Sequence, residues 1–206
     1  MKMQSTKENL ALDGKIVRTF FKYLIPSMLS LIAMTSASLV DGLFIGNYVG
    51  VTALGAVNLT IPVTALLFGF AMMLSVGGSV RAGKYLGEKN YKAASSIFSK
   101  TLIFVAGYGV LAISLGLFFE LELFAGLGAK EELFPVMSEY YRVILPFLLA
   151  QFIVIVMYFF IRLDGFPNLV AVALTVGALV NILLDYLFIG VLGFGLRGAA
   201  FATDIS

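Results

Sequence analysis

The 206-residue chain contains no cysteine and no histidine. A disulfide framework, a thiolate nucleophile and an imidazole proton relay are therefore excluded, and a zinc site loses its usual ligands. Charge is also scarce: only 13% of residues are Asp, Glu, Lys or Arg, whereas 60% are hydrophobic. That balance lies far from the soluble average and defines an integral membrane protein. Any proton or cation chemistry here must use carboxylates and neutral oxygens.

The few charges form islands. Residues 23–40, 42–80, 101–119, 143–161 and 165–184 contain none, and a spanning helix needs roughly 20 largely apolar residues. The pattern predicts an all-α, polytopic fold with helices over 18–45, 52–76, 95–119, 135–161 and 167–189, and a sixth starting at 198 and cut off at Ser206. Residues 1–17 read as a cytoplasmic N-terminus, and 18–206 as a single transmembrane lobe with no linker and no second domain. Lys15, Arg18 and Lys22 precede the first apolar run in the manner of a secretory signal. That run is too long, and no small-residue cleavage pattern ends it.

Lysine and arginine fall unevenly between the loops, which orients the helices. Lys2, Lys7, Lys15, Arg18 and Lys22 precede the first span; Arg81, Lys84, Lys89, Lys92 and Lys100 separate the second from the third; Arg162 follows the fourth. Those segments are assigned to the cytoplasm. Glu120, Glu122, Glu131, Glu132 and Glu139, with only Lys130, Arg142 and Arg197, mark the outer side. The expected location is the plasma membrane, with lipids as partners. The basic loop reads as a topology determinant, with binding to acidic lipid heads as the lesser alternative; no nucleic-acid partner is expected.

Two aspartates, Asp41 and Asp185, break otherwise uncharged apolar stretches. An ionisable group at membrane depth is costly and marks a functional-site hypothesis. Asn181 sits one helical turn before Asp185, on the same face. At about 1.5 Å of rise per residue, Asp41, Asn181, Asp185 and Thr203 reach a similar level in the outer half of the membrane. Their carboxylate, amide and hydroxyl oxygens suit a hard cation such as sodium, or a proton. Pro26 removes one backbone hydrogen bond from the first helix and permits it to bend. Gly77, Gly78, Gly107, Gly116 and Gly177 read as sites of close helix packing. For Asp41 the competing reading is an interfacial residue facing water; for Asn181 and Asp185 it is helix-to-helix hydrogen bonding.

Longer motifs carry a resemblance. Arg162-Leu-Asp-Gly-Phe-Pro, then Asn181-Ile-Leu-Leu-Asp185-Tyr, then Gly195-Leu-Arg-Gly-Ala-Ala-Phe-Ala-Thr203 resemble the signature of the multidrug and toxic compound extrusion (MATE) transporters. Val40-Asp41 at the end of a proline-bearing first helix, and Gly83-Lys-Tyr-Leu-Gly-Glu-Lys-Asn-Tyr-Lys-Ala-Ala, are similar to the same family. Aspartate at 185 looks more like the DinF-like branch than the NorM-like one. The resemblance implies a six-helix lobe of a twelve-helix exporter of drugs and cationic amphipathic compounds, exchanging them for sodium or protons without a cofactor. It also implies a cation site at Asp41, Asn181, Asp185 and Thr203, with Tyr140 as a hydrogen-bonding neighbour. The missing C-terminal lobe is an expected partner, so the chain reads as a fragment of a longer protein in preference to a truncated gene product or a half-transporter.

Two other classes compete with the transporter reading. A flippase for lipid-linked oligosaccharides has a related fold, but its cavity calls for cationic side chains, and only Arg81 and Arg162 come near. An intramembrane aspartyl protease needs two facing aspartates, yet Leu184 stands where tyrosine is expected and no Gly-x-Gly precedes Asp41. The expectation is a transporter, not an enzyme; a non-transporting fragment is the remaining alternative.

Overall fold

The computed structural model describes residues 2–206, with side chains from residue 16 onward. Helix α1 (Lys2–Phe44) carries Pro26 inside it and passes directly into a π-helical turn, Ile45–Val49. It starts well before residue 18 because residues 2–17 contain no proline and are rich in helix formers. Gly50, at φ 119°, reverses the chain into α2 (Val51–Gly87). That backbone angle is open to glycine and strained for other residues.

Helix α2 outruns its apolar window, since Arg81, Ala82, Lys84 and Leu86 favour helix as well as their membrane-embedded neighbours do. Asn90 then caps α3 (Tyr91–Phe118), its side chain accepting from the Ala93 N–H at 3.1 Å. Such a cap satisfies one of the orphan donors at a helix start. A short helix α4 (Glu120–Gly126) and a 3₁₀ turn, Glu131–Leu133, lead into α5 (Phe134–Leu163). Pro167 opens α6 (Pro167–Asp185), which also ends in a π-helical turn, Tyr186–Val191, before α7 (Gly195–Ile205). Five helical segments are long and apolar enough to cross a membrane. Among the described residues there is no strand.

The helices sort into two groups. Helices α2, α3 and α5 pack on one another around Val105, Tyr141, Leu145, Phe152 and Val156, while α1 packs chiefly along α6. The Phe152 ring meets Phe68 edge-on at 5.4 Å and stacks on Tyr108 at 5.6 Å, joining the three helices of the first group. At one end a second cluster, with Ile45, Tyr140, Ile144, Ile189 and Ala199, ties the two groups together through α7. Neighbouring residues Tyr140 and Tyr141 thus serve different cores, because successive helical side chains point about 100° apart.

Large apolar side chains such as Ile103, Phe104 and Leu183 face outward, and small residues such as Ala56, Ala71, Ala82 and Ala200 are buried. That inside-out arrangement fits a lipid environment, where close backbone approach replaces hydrophobic exclusion as the packing force. Of the glycines assigned to such approaches, Gly78, Gly116 and Gly177 do face close neighbours on Thr101, Tyr141 and Ser206. Gly77 and Gly107 do not: a Cβ there would meet nothing within 4 Å, because both face away from the neighbouring helices.

Candidate cation site

An open cavity of about 520 Å³ lies between the α1/α6 pair and α5, with Phe68 of α2 and the end of α7 also lining it. Asp41, Asn181 and Thr203 all line it, contributed by α1, α6 and α7 respectively. Asp185 lies behind this surface, fully buried at 0% exposure, with neither carboxylate oxygen hydrogen-bonded. Asp41 Oδ1 is likewise buried without a partner. An unpaired carboxylate in such surroundings costs several kcal/mol unless a proton or cation neutralises it.

Local structure accounts for the convergence. Asp41 occupies the last turn of α1 and Asp185 ends α6, and each is followed by a π-helical turn. The two turns pack together, with Tyr48 close to Gly190. One added residue per turn rotates the side chains that follow, and such turns concentrate at functional sites. Tyr140, 6% exposed, projects from α5 between the helices, and Asp41, Asp204 and Asp185 all lie within electrostatic reach of its hydroxyl. Asn181 is 7% exposed and lines the cavity from α6. The Thr203 hydroxyl donates to Ala199 O at 3.1 Å, which leaves its lone pairs turned to other donors or to a cation.

Two neighbours escaped the sequence reading. Asp204, next to Thr203, also lines the cavity, and Gln151 Nε2 of α5 donates to its Oδ1 at 3.1 Å. The available signal was a polar side chain within an apolar window, the same one that marks Asp41. Among the described residues no three of His, Cys, Asp and Glu form a metal-holding group. Asp41, Asp204 and Asp185 nonetheless all influence Tyr140 electrostatically, and their carboxylates are oxygen donors of the type that hard cations and protons use.

Pro26 is buried in α1 outside this cavity, about 22 Å from Asp41 along the helix axis at 1.5 Å per residue. The Ser30 hydroxyl donates to Pro26 O at 2.8 Å. Arg162, at the end of α5, donates to Ser27 Oγ at 2.5 Å and to the Tyr158 hydroxyl, so α5 grips α1 one residue beyond the proline. At the opposite end of the molecule the charges pair: Arg142 with Glu120 at 2.8 Å and Arg197 with Glu139 at 3.3 Å.

A family model described as MatE matches residues 26–187. The chain is 29% identical to the "Probable multidrug resistance protein YoeA" of Bacillus subtilis, over 99% of this chain and 46% of the relative. It is 26% identical to the "Multidrug export protein MepA" of Staphylococcus aureus, over 93% of this chain and 42% of the relative. A solved structure described as "MATE in the bent conformation" superposes with a TM-score of 0.82 at 32% identity, over 89% of this chain and 41% of that one. The chain thus spans less than half the length of the relatives it matches.

Proposed function

Since the chain belongs to the MatE family of transporters, we propose that it forms the N-terminal lobe of a secondary active exporter, moving drug-like or cationic amphipathic compounds out of the cell in exchange for sodium or protons. The observation that carries this reading is the pair Asp41 and Asp185, whose buried oxygens lack partners beside a cavity of drug-accommodating size. In the proposed cycle, Asp41, Asp185, Asn181 and Thr203 take up the coupling cation or proton, and Tyr140 orients the carboxylates. Neutralising the pair removes mutual repulsion and desolvation cost, and so favours the arrangement of α1 and α6 that closes on the ion.

Helix α1 is the moving part in this reading. Pro26 removes a backbone hydrogen bond, which lowers the cost of bending there. Solved structures similar to this chain are described in a bent and in a straight conformation, in keeping with a fold that takes two shapes. Ion release into the cytoplasm would restore the charged pair and reset the cavity. The basic segments favour a cytoplasmic N-terminus and a cytoplasmic α2–α3 connection for the proposed plasma-membrane protein. A second lobe completes the substrate path.

Drug-susceptibility assays of the full-length protein in cells stripped of other exporters test the proposal. Expression of the wild type is expected to raise resistance, and a D41N/D185N protein present at equal membrane abundance is expected to lose it. Equal resistance from both proteins would overturn the coupling role.

A further inference from the structure

Four consecutive residues at the outer end of α5 each engage a different part of the molecule. Glu139 pairs with Arg197 of α7 at 3.3 Å. Tyr140 packs into the cluster of Ile45, Ile144 and Ala199, within electrostatic reach of Asp41 and Asp185. Tyr141 turns the other way: its ring meets Phe124 of α4 edge-on at 5.4 Å, and a Cβ on Gly116 of α3 would come within 2.7 Å of its hydroxyl. Arg142 Nε donates to Glu120 Oε2 at 2.8 Å. The backbone ladder continues from α3 into α4, with Phe119 N–H on Leu115 O and Leu123 N–H on Phe119 O, both at 2.9 Å. Gly116, Glu120 and Phe124, spaced four apart, therefore present one surface to this turn of α5.

Pro146 explains why the turn needs fastening. It lies inside α5, four residues after Arg142. Its nitrogen cannot donate to the Arg142 carbonyl and its ring crowds that oxygen, which loosens the helix there. The segment 134–145, with Tyr140 on it, thus joins the remainder of α5 through an interrupted ladder, and lateral contacts set its rotation about the helix axis. Pro146 itself is exposed. The Glu120 side chain is only 6% exposed, against 66% for Arg142. A buried carboxylate holds its cation more tightly in place than an exposed one, because water does not compete for its oxygen. Binding groups tolerate errors of roughly 0.5 Å or 10–20°, and the Tyr140 hydroxyl, at the end of a long side chain, magnifies any rotation of its helix.

We propose that Glu120, which lies outside the cation site, is a positioning residue for it: by holding Arg142 and seating Tyr141, it fixes the swivel of α5 about Pro146 and so the aim of the Tyr140 hydroxyl at Asp41 and Asp185. The inference rests on the coupling role proposed for that site and extends it to a residue on α4.

The test uses full-length protein in proteoliposomes exporting tetraphenylphosphonium, with sodium titrated at fixed pH and pH varied at fixed sodium, and with half-saturation and maximal rate fitted separately. E120A is expected to raise the half-saturation for the coupling ion by about threefold or more when Tyr140 is present, and by less than about twofold in a Y140F background, where the hydroxyl to be aimed is gone. Adding P146A to E120A restores the backbone bond to the Arg142 carbonyl and is expected to recover most of the shift. R142A breaks the same ion pair from its exposed side, and carries these comparisons if E120A fails to fold. Unchanged half-saturation overturns the inference. Equal shifts with and without the Tyr140 hydroxyl also overturn it, by giving Glu120 a general structural role, and so does a shift that P146A leaves untouched. Each of those results leaves the coupling reading standing. A wild-type protein whose export responds to neither ion overturns that reading, and this inference with it.

Discussion

Asp185 lies within electrostatic reach of Asp41 across the contact between α6 and α1, and three of the pair's four carboxylate oxygens are buried with no hydrogen-bond partner. Two like charges in low dielectric repel, and each alone costs several kcal/mol to keep dry. A neutral pair would be easier to bury, so the proposed coupling role makes a direct demand on this arrangement: neutralisation by a proton or cation should favour it.

Substituting Asp185→Asn is expected to separate stability from activity. The amide removes the unpaired buried charge, so the thermal midpoint of the detergent-solubilised protein should hold or rise. Ion-driven export should fall by about tenfold or more. Differential scanning fluorimetry and proteoliposome transport on the same preparation check both halves.

Tyr140→Phe removes one hydroxyl in reach of three aspartates without changing the ring that packs against Ile144 and Ala199. The fold should survive. The apparent affinity for the coupling ion should weaken by about tenfold or more, the scale of one hydrogen bond to a charged group. Ion titrations of transport rate, with maximal rate and half-saturation fitted separately, measure it.

Gly198 and Gly77 should respond in opposite ways to alanine. A Cβ at 198 would sit 3.1 Å from the Phe188 backbone, which cannot yield as a flexible side chain can. Gly198→Ala should push α7 away from the turn after α6, destabilising the protein by about 1–3 kcal/mol. A Cβ at 77 meets open space, so Gly77→Ala should be neutral or stabilising by about 0.5–1 kcal/mol. Thermal unfolding of the two variants side by side makes the comparison.

Arg162 grips α1 through Ser27, immediately after Pro26. Arg162→Ala should loosen that half of the helix, seen as faster amide hydrogen exchange over residues 23–30, with little change near Asp41. Equal protection in wild type and variant would show that the grip does not restrain α1.

Much of this was legible in the residues because charge is so rare in the chain. Asp41 and Asp185 stand out against apolar windows, and hydropathy alone separates the long helices. What the sequence hid depends on three-dimensional neighbours. The π-helical turns after Phe44 and Asp185 leave no compositional trace. Helix α2 continues to Gly87 because helix propensity does not stop where apolarity does. Whether a glycine meets a neighbour depends on which face its helix turns inward, which separates Gly78 from Gly77. Arg162 reads in sequence as a loop charge that sets topology, yet its guanidinium turns back to α1. Asp204 carries no motif signal, since the family-like stretch on α7 ends at Thr203, one residue short.

The most direct measurement of the central claim is export of tetraphenylphosphonium from proteoliposomes holding the full-length protein, driven by an imposed sodium or proton gradient, for wild type, D41N and D185N. The account predicts that one of the two gradients accelerates export by the wild type and that neither accelerates export by either variant. Variants that respond to the gradient as the wild type does would contradict it.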